Sequence, residues 1–134
     1  MTEFSTIFDR SPLFAPRLWP KPVLTGFKAL AVIFGLIIIY SSLTPSGPGP
    51  RILHFDKLMH ALAYASLAGA MRLGWPVIWG GFIIFGAGAL GITLEVVQAA
   101  LAHGRTGSLA DAIANVLGVC LALALLYPFR RKVK

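Results

Sequence analysis

A chain of 134 residues that is 57% hydrophobic and only 13% charged, with mean hydropathy +0.77, is too apolar for a soluble domain and reads as one membrane-embedded unit. Its twelve Lys and Arg against five acids gather toward the two termini without a recognition motif, which excludes nucleic acid and leaves membrane lipids with anionic headgroups as the expected partner. The single Cys120 has no partner for an internal disulfide and reads as a small packed hydrophobe.

Residues 1–22 hold Pro12, Pro16, Pro20 and Pro22 among Phe4, Phe8, Phe14 and Trp19. That spacing excludes one continuous helix and predicts an interfacial tail. A secretory signal needs an apolar core directly behind a short basic start, and the first apolar core begins only near Val23. Residues 23–43, with Ile37, Ile38 and Ile39 in succession, are long enough to cross about 30 Å of hydrocarbon at roughly 1.5 Å per residue. Three prolines and two glycines within 44–50 then mark a turn.

The second apolar stretch, 58–73, is short for a span, so Asp56 and Lys57 fall in the headgroup region or sink into the bundle. The third, 75–102, opens on interfacial Trp75 and Trp79. The fourth, 109–129, runs up to a basic tail at 130–134. The expected fold is an all-α membrane protein with four transmembrane helices within 23–129. Arg10, Arg17, Lys21, Lys28, Arg72, Arg130, Arg131, Lys132 and Lys134 share one side of that arrangement, against Arg51, Lys57 and Arg105 on the other. The positive-inside rule therefore puts both termini in the cytoplasm and turns a loop through Gly104 and Arg105 outward.

Polar residues interrupt the apolar stretches in pairs. Asp56 and His60 are spaced i,i+4, Glu95 and Gln98 i,i+3, and Asp111 and Asn115 i,i+4, so each pair shares one helix face. An ionised group at mid-membrane costs roughly 3 kcal/mol on insertion scales, which makes each of them a hypothesis of function. On the expected topology all of them meet at the outer end. Ala61, Ala65 and Gly69, and likewise Ala110, Ala114, Gly118 and Ala122, recur every fourth residue and predict close helix packing. Gly88 and Gly91 share the face of Glu95 and predict a neighbouring backbone just below that carboxylate.

Each polar residue also has a structural reading. Asp56 reads equally as an N-cap, and Ser108 with Asp111 matches the capping box Ser-x-x-Asp. Glu95 lies far from any helix start and needs a cationic partner, a proton or a metal. Arg105 is the natural partner, and the pair is expected at the outer end of the bundle; the same guanidinium also suits a phosphate. Lys57 adds a more mobile charge. His60 is open as a base, a ligand or a hydrogen-bond partner of Glu95 or Asp111. A metal held by His60, Glu95 and Asp111 matches no compact ligand signature, so no metal or cofactor is expected. His54 and His103 read as loop residues, and Tyr64 extends the stripe of Asp56 and His60. Neither a nucleophile elbow nor a phosphate loop is present, and catalysis is left open.

The ordered set Asp56-Lys57-x-x-His60, Glu95-x-x-Gln98, Arg105, Ser108-x-x-Asp111-x-x-x-Asn115, followed by Val116, Leu117 and Gly118, resembles the VanZ-like family of small integral membrane proteins over most of the chain outside its tails. That family takes its name from a protein linked to resistance to teicoplanin, a glycopeptide acting on the outer face of the cell envelope. The resemblance implies the bacterial inner membrane and a connection with envelope chemistry, and no particular reaction. The expected function is a polar pocket, open outward, for a lipid-linked or anionic envelope molecule. Its rival is an accessory subunit of a membrane protein complex in which the polar residues only lock the helices.

Overall fold

The computed structural model describes residues 19–45, 53–101 and 108–127. They form four helices, α1 (Lys21–Leu43), α2 (Leu53–Gly74), α3 (Gly80–Leu101) and α4 (Leu109–Leu125), with no strand among the described residues. Pro22 sits in the first turn of α1, where a missing N–H leaves no hydrogen bond unmade. At the other end Thr44 precedes Pro45, whose ring forces it into an extended conformation and stops the helix. Its N–H and its hydroxyl both donate to the Tyr40 carbonyl, at 3.0 and 2.7 Å.

Three helix starts differ from the sequence reading: α1 takes in Lys21 and Pro22, which were expected in the tail, and α2 and α3 differ by more. α2 begins at Leu53, because no Gly or Pro separates that residue from Asp56, so Asp56 lies in the first turn and is not the N-cap. His54 is likewise helical and not a loop residue. α3 begins only at Gly80, because Pro76 keeps the segment after Trp75 in a turn. Arg72, one of the basic residues assigned to the side of the termini, is in the last turn of α2 and only 6% exposed. Its guanidinium donates to the Ile78 carbonyl at 2.6 Å and ties that turn back onto the helix. Lys28 of α1 lies over the Trp75 ring, 5.5 Å from its centroid, in cation–π geometry.

Around the bundle the order is α1, α2, α4, α3, with α2 packed most extensively on α4 and then on α1. Small residues explain the first of these contacts. A Cβ on Gly118 would meet the Ala61 carbonyl group, its carbon at 2.8 Å, and the Ala61 Cα at 2.9 Å, so the two backbones touch. Ala114, Gly118 and Ala122 are buried in this seam, while Ala110 at its end is exposed. Tyr64, Leu67, Ala68, Ile83, Ala87 and Val119 fill the centre. Gly91 differs from expectation: the atoms nearest a built Cβ are side-chain ones, the Asn115 amide nitrogen at 3.1 Å and the Tyr64 hydroxyl at 3.3 Å. Gly88 has nothing within 4 Å.

The polarity of the bundle is inverted relative to that of water-soluble proteins. Val32, Leu36 and Ile37 of α1, Phe82, Phe85 and Ile92 of α3, and Leu109, Ile113, Leu117, Leu121 and Leu125 of α4 point outward, whereas Arg72, Gln98, Asp111 and Asn115 are buried. α1 and α3 are long and apolar enough to cross a membrane, and α4, at 17 residues, is a shorter apolar helix.

Candidate functional site

The end of α1, the start of α2, the end of α3 and the start of α4 come together at one end of the bundle, and every described polar residue singled out from the sequence is there. Two of them cap neighbouring helices. The last carbonyls of a helix have no intrahelical partner, and the Gln98 amide of α3 donates to one of them, Ser42 O of α1, at 2.8 Å. Free N–H groups at a helix start need acceptors in the same way. The Glu95 carboxylate accepts the Ser108 N–H at 2.7 Å, placing a negative charge where the dipole of α4 favours it.

That bond corrects the capping-box reading. In such a box the residue at Asp111 would reach back to the Ser108 N–H, and the Ser108 side chain would cap in return. Here Glu95 takes that N–H, and the Ser108 side chain makes no cap bond. Asp111 is thereby released to α2, where Lys57 Nζ donates to its Oδ1 at 3.0 Å.

His60 engages neither Glu95 nor Asp111 by hydrogen bond. Its Nδ1 lies 3.1 Å from Asn115 Oδ1, and the tautomer that carries its proton on Nδ1 donates to this amide oxygen. Its Nε2 lies 3.9 Å from Asp56 Oδ1, one helical turn away. The reason His60 turns to α4 is the close seam at Gly118, which brings the facing sides of α2 and α4 into contact and leaves α3 farther off.

Exposure falls in steps through the cluster. The side chains of Asp56 and Lys57 are 53% and 37% exposed, those of His60 and Asp111 16% and 12%, and Asn115 at the base is 2% exposed. Tyr64, a turn beyond His60, is buried against Gly91. The outer members are therefore partly exposed and the inner ones buried. Asp56, His60 and Asp111 each bring one metal-ligating atom within 4.8 Å of the others, a trio in which Asp56 stands where the sequence reading had Glu95. Arg105, its expected pairing with Glu95, the loop through Gly104, His103 and the side chain of His54 lie outside the described residues, as do the tails 1–18 and 128–134.

No family model matches this chain, and no curated protein or solved structure matches it either.

Proposed function

We propose that this chain is an integral protein of the bacterial inner membrane, with four spans and cytoplasmic termini, whose outward polar cluster binds a lipid-linked or anionic molecule of the cell envelope. The VanZ-like resemblance of the polar set motivates the envelope. The observation that carries the reading is the graded exposure of the cluster: Lys57 and Asp56 stand open above a buried, mutually hydrogen-bonded base. Helix locking alone does not account for Asp56, whose side chain is 53% exposed and which, among the described residues, pairs only with His60 of its own helix. A second reading, an accessory subunit whose polar residues hold the helices together, is favoured by Glu95 and Gln98, each of which caps a neighbouring helix.

The two readings part at Asp56. A charge several ångströms from a bound phosphate shifts its affinity through a partly screened field, so Asp56→Asn tightens binding of an anionic polyprenyl phosphate about threefold to tenfold. The assay is binding to the full chain in nanodiscs, in chelator-containing buffer. A neutral polyprenol should bind weakly to both forms. Equal affinity of wild type and Asp56→Asn for the phosphate, or equal binding of phosphate and alcohol, would refute the ligand site and leave the accessory subunit. Glu95→Ala is the contrasting variant, expected to lower stability because the Ser108 N–H loses its acceptor.

Topology is tested with cysteines at described, exposed positions. In a Cys120→Ser background a cysteine at Thr44, at the polar end, is expected to react with an impermeant reagent in intact cells. One at Val77, in the turn between α2 and α3, should react only after lysis. The reverse pattern would put the polar cluster in the cytoplasm.

A further inference from the structure

We propose that Asp56, His60 and Asp111 form a binding site for a divalent ion of the zinc or manganese class. Their ligand atoms already stand within 4.8 Å of one another, two from one face of α2 and one from the first turn of α4. In the tautomer that donates from Nδ1 to the Asn115 amide oxygen, Nε2 is the lone-pair nitrogen on the side of Asp56. Fixing the far nitrogen with a buried acceptor is how proteins orient a metal-ligating imidazole. In that tautomer Nε2 and the two carboxylates are acceptors gathered close together, Lys57 takes only one of their oxygens, and a cation between them relieves the arrangement.

The donor set selects the ion. One imidazole with two carboxylates suits zinc or manganese, whereas magnesium and calcium favour oxygen alone. Donor atoms around an ion held at about 2.0–2.2 Å stand roughly 3–4 Å apart, so the trio must tighten modestly. Asp56, half exposed, has the freedom to swing inward. Lys57 occupies only Oδ1 of Asp111, and a carboxylate has a second oxygen to offer. Three protein donors leave a coordination position open for water or an anionic oxygen. The ion thus adds a positive charge beside Lys57, yet the site stands or falls separately from anion binding measured in chelator.

The test uses the full chain, without an affinity tag, purified in detergent and stripped with chelator. It is titrated with cobalt(II), followed by visible absorption, and then with zinc and manganese in competition. Binding of about one ion per chain is expected. Asp56→Asn and His60→Gln should weaken it by at least about tenfold. Lys57→Gln should tighten it, because a neighbouring positive charge is removed, and a merely structural cluster gives no reason for that gain. Absence of saturable cobalt absorption in the folded protein overturns the proposal. So does binding that Asp56→Asn leaves unchanged, since that half-exposed side chain is not part of the helix packing.

Discussion

Gly118→Ala is expected to destabilise the bundle by about 1–3 kcal/mol or more, the range for forcing atoms into a filled interior. The added methyl falls on the backbone of Ala61 and not on the end of a flexible side chain, so α2 and α4 must separate along the whole seam. Separation also pulls apart Lys57 and Asp111, and His60 and Asn115, which bridge the same two helices. Gly86→Ala provides the opposite sign. Nothing lies within 4 Å of a Cβ there, and replacing an exposed mid-helix glycine by alanine gains up to about 1 kcal/mol in helix propensity. Heating both variants in detergent and following helicity by circular dichroism separates them. Similar midpoints for the two would show that the backbones do not touch at Ala61.

The ion pair of Lys57 and Asp111 is expected to respond asymmetrically. Lys57→Met leaves a carboxylate that is only 12% exposed without its cation, and breaking a buried pair in this way typically costs about 3–5 kcal/mol. The partial exposure of Lys57 lowers that to roughly 1–3 kcal/mol, because water already screens part of the interaction. Asp111→Asn should cost less, since the flexible lysine swings its ammonium outward once released. The double variant should be more stable than the sum of the two losses predicts, which a double-mutant cycle on detergent unfolding reads as coupling. Additive losses would mean that the bond contributes nothing, and a larger loss for Asp111→Asn would mean that the lysine cannot leave.

Much of this architecture was legible in the chain. Four helices follow from apolar stretches long enough to bury every backbone polar group and from the Pro and Gly turns between them. The pairs Asp56 with His60 and Asp111 with Asn115 follow from helical periodicity, which is a local property. What periodicity does not carry is the choice of neighbour. His60 bonds to Asn115 because α2 lies closest to α4, and that proximity depends on the match of Gly118 with Ala61, residues 57 positions apart in sequence. The capping box failed for the same reason: Ser-x-x-Asp is a local signature, and Glu95, thirteen residues upstream of Ser108, took the N–H that Asp111 was expected to accept from. The N-cap reading of Asp56 fails because a charge does not by itself mark a helix end. Helices stop where a breaker or a cap stops them, and Asp56 is neither.

The length of α4 has a bearing on the lipids around it. Seventeen helical residues span about 26 Å, a few ångströms less than the hydrocarbon thickness of an average bilayer. On the proposed topology, the outward row of Leu109, Ile113, Leu117, Leu121 and Leu125 meets acyl chains longer than itself. Such a mismatch draws the adjacent leaflets inward or selects shorter chains, at a modest cost per ångström. Headgroup phosphates beside α4 would then sit deeper than elsewhere, nearer the level of Asp111 in its first turn. For the proposed anion site, the thickness of the surrounding membrane would then set how readily a phosphate reaches Lys57.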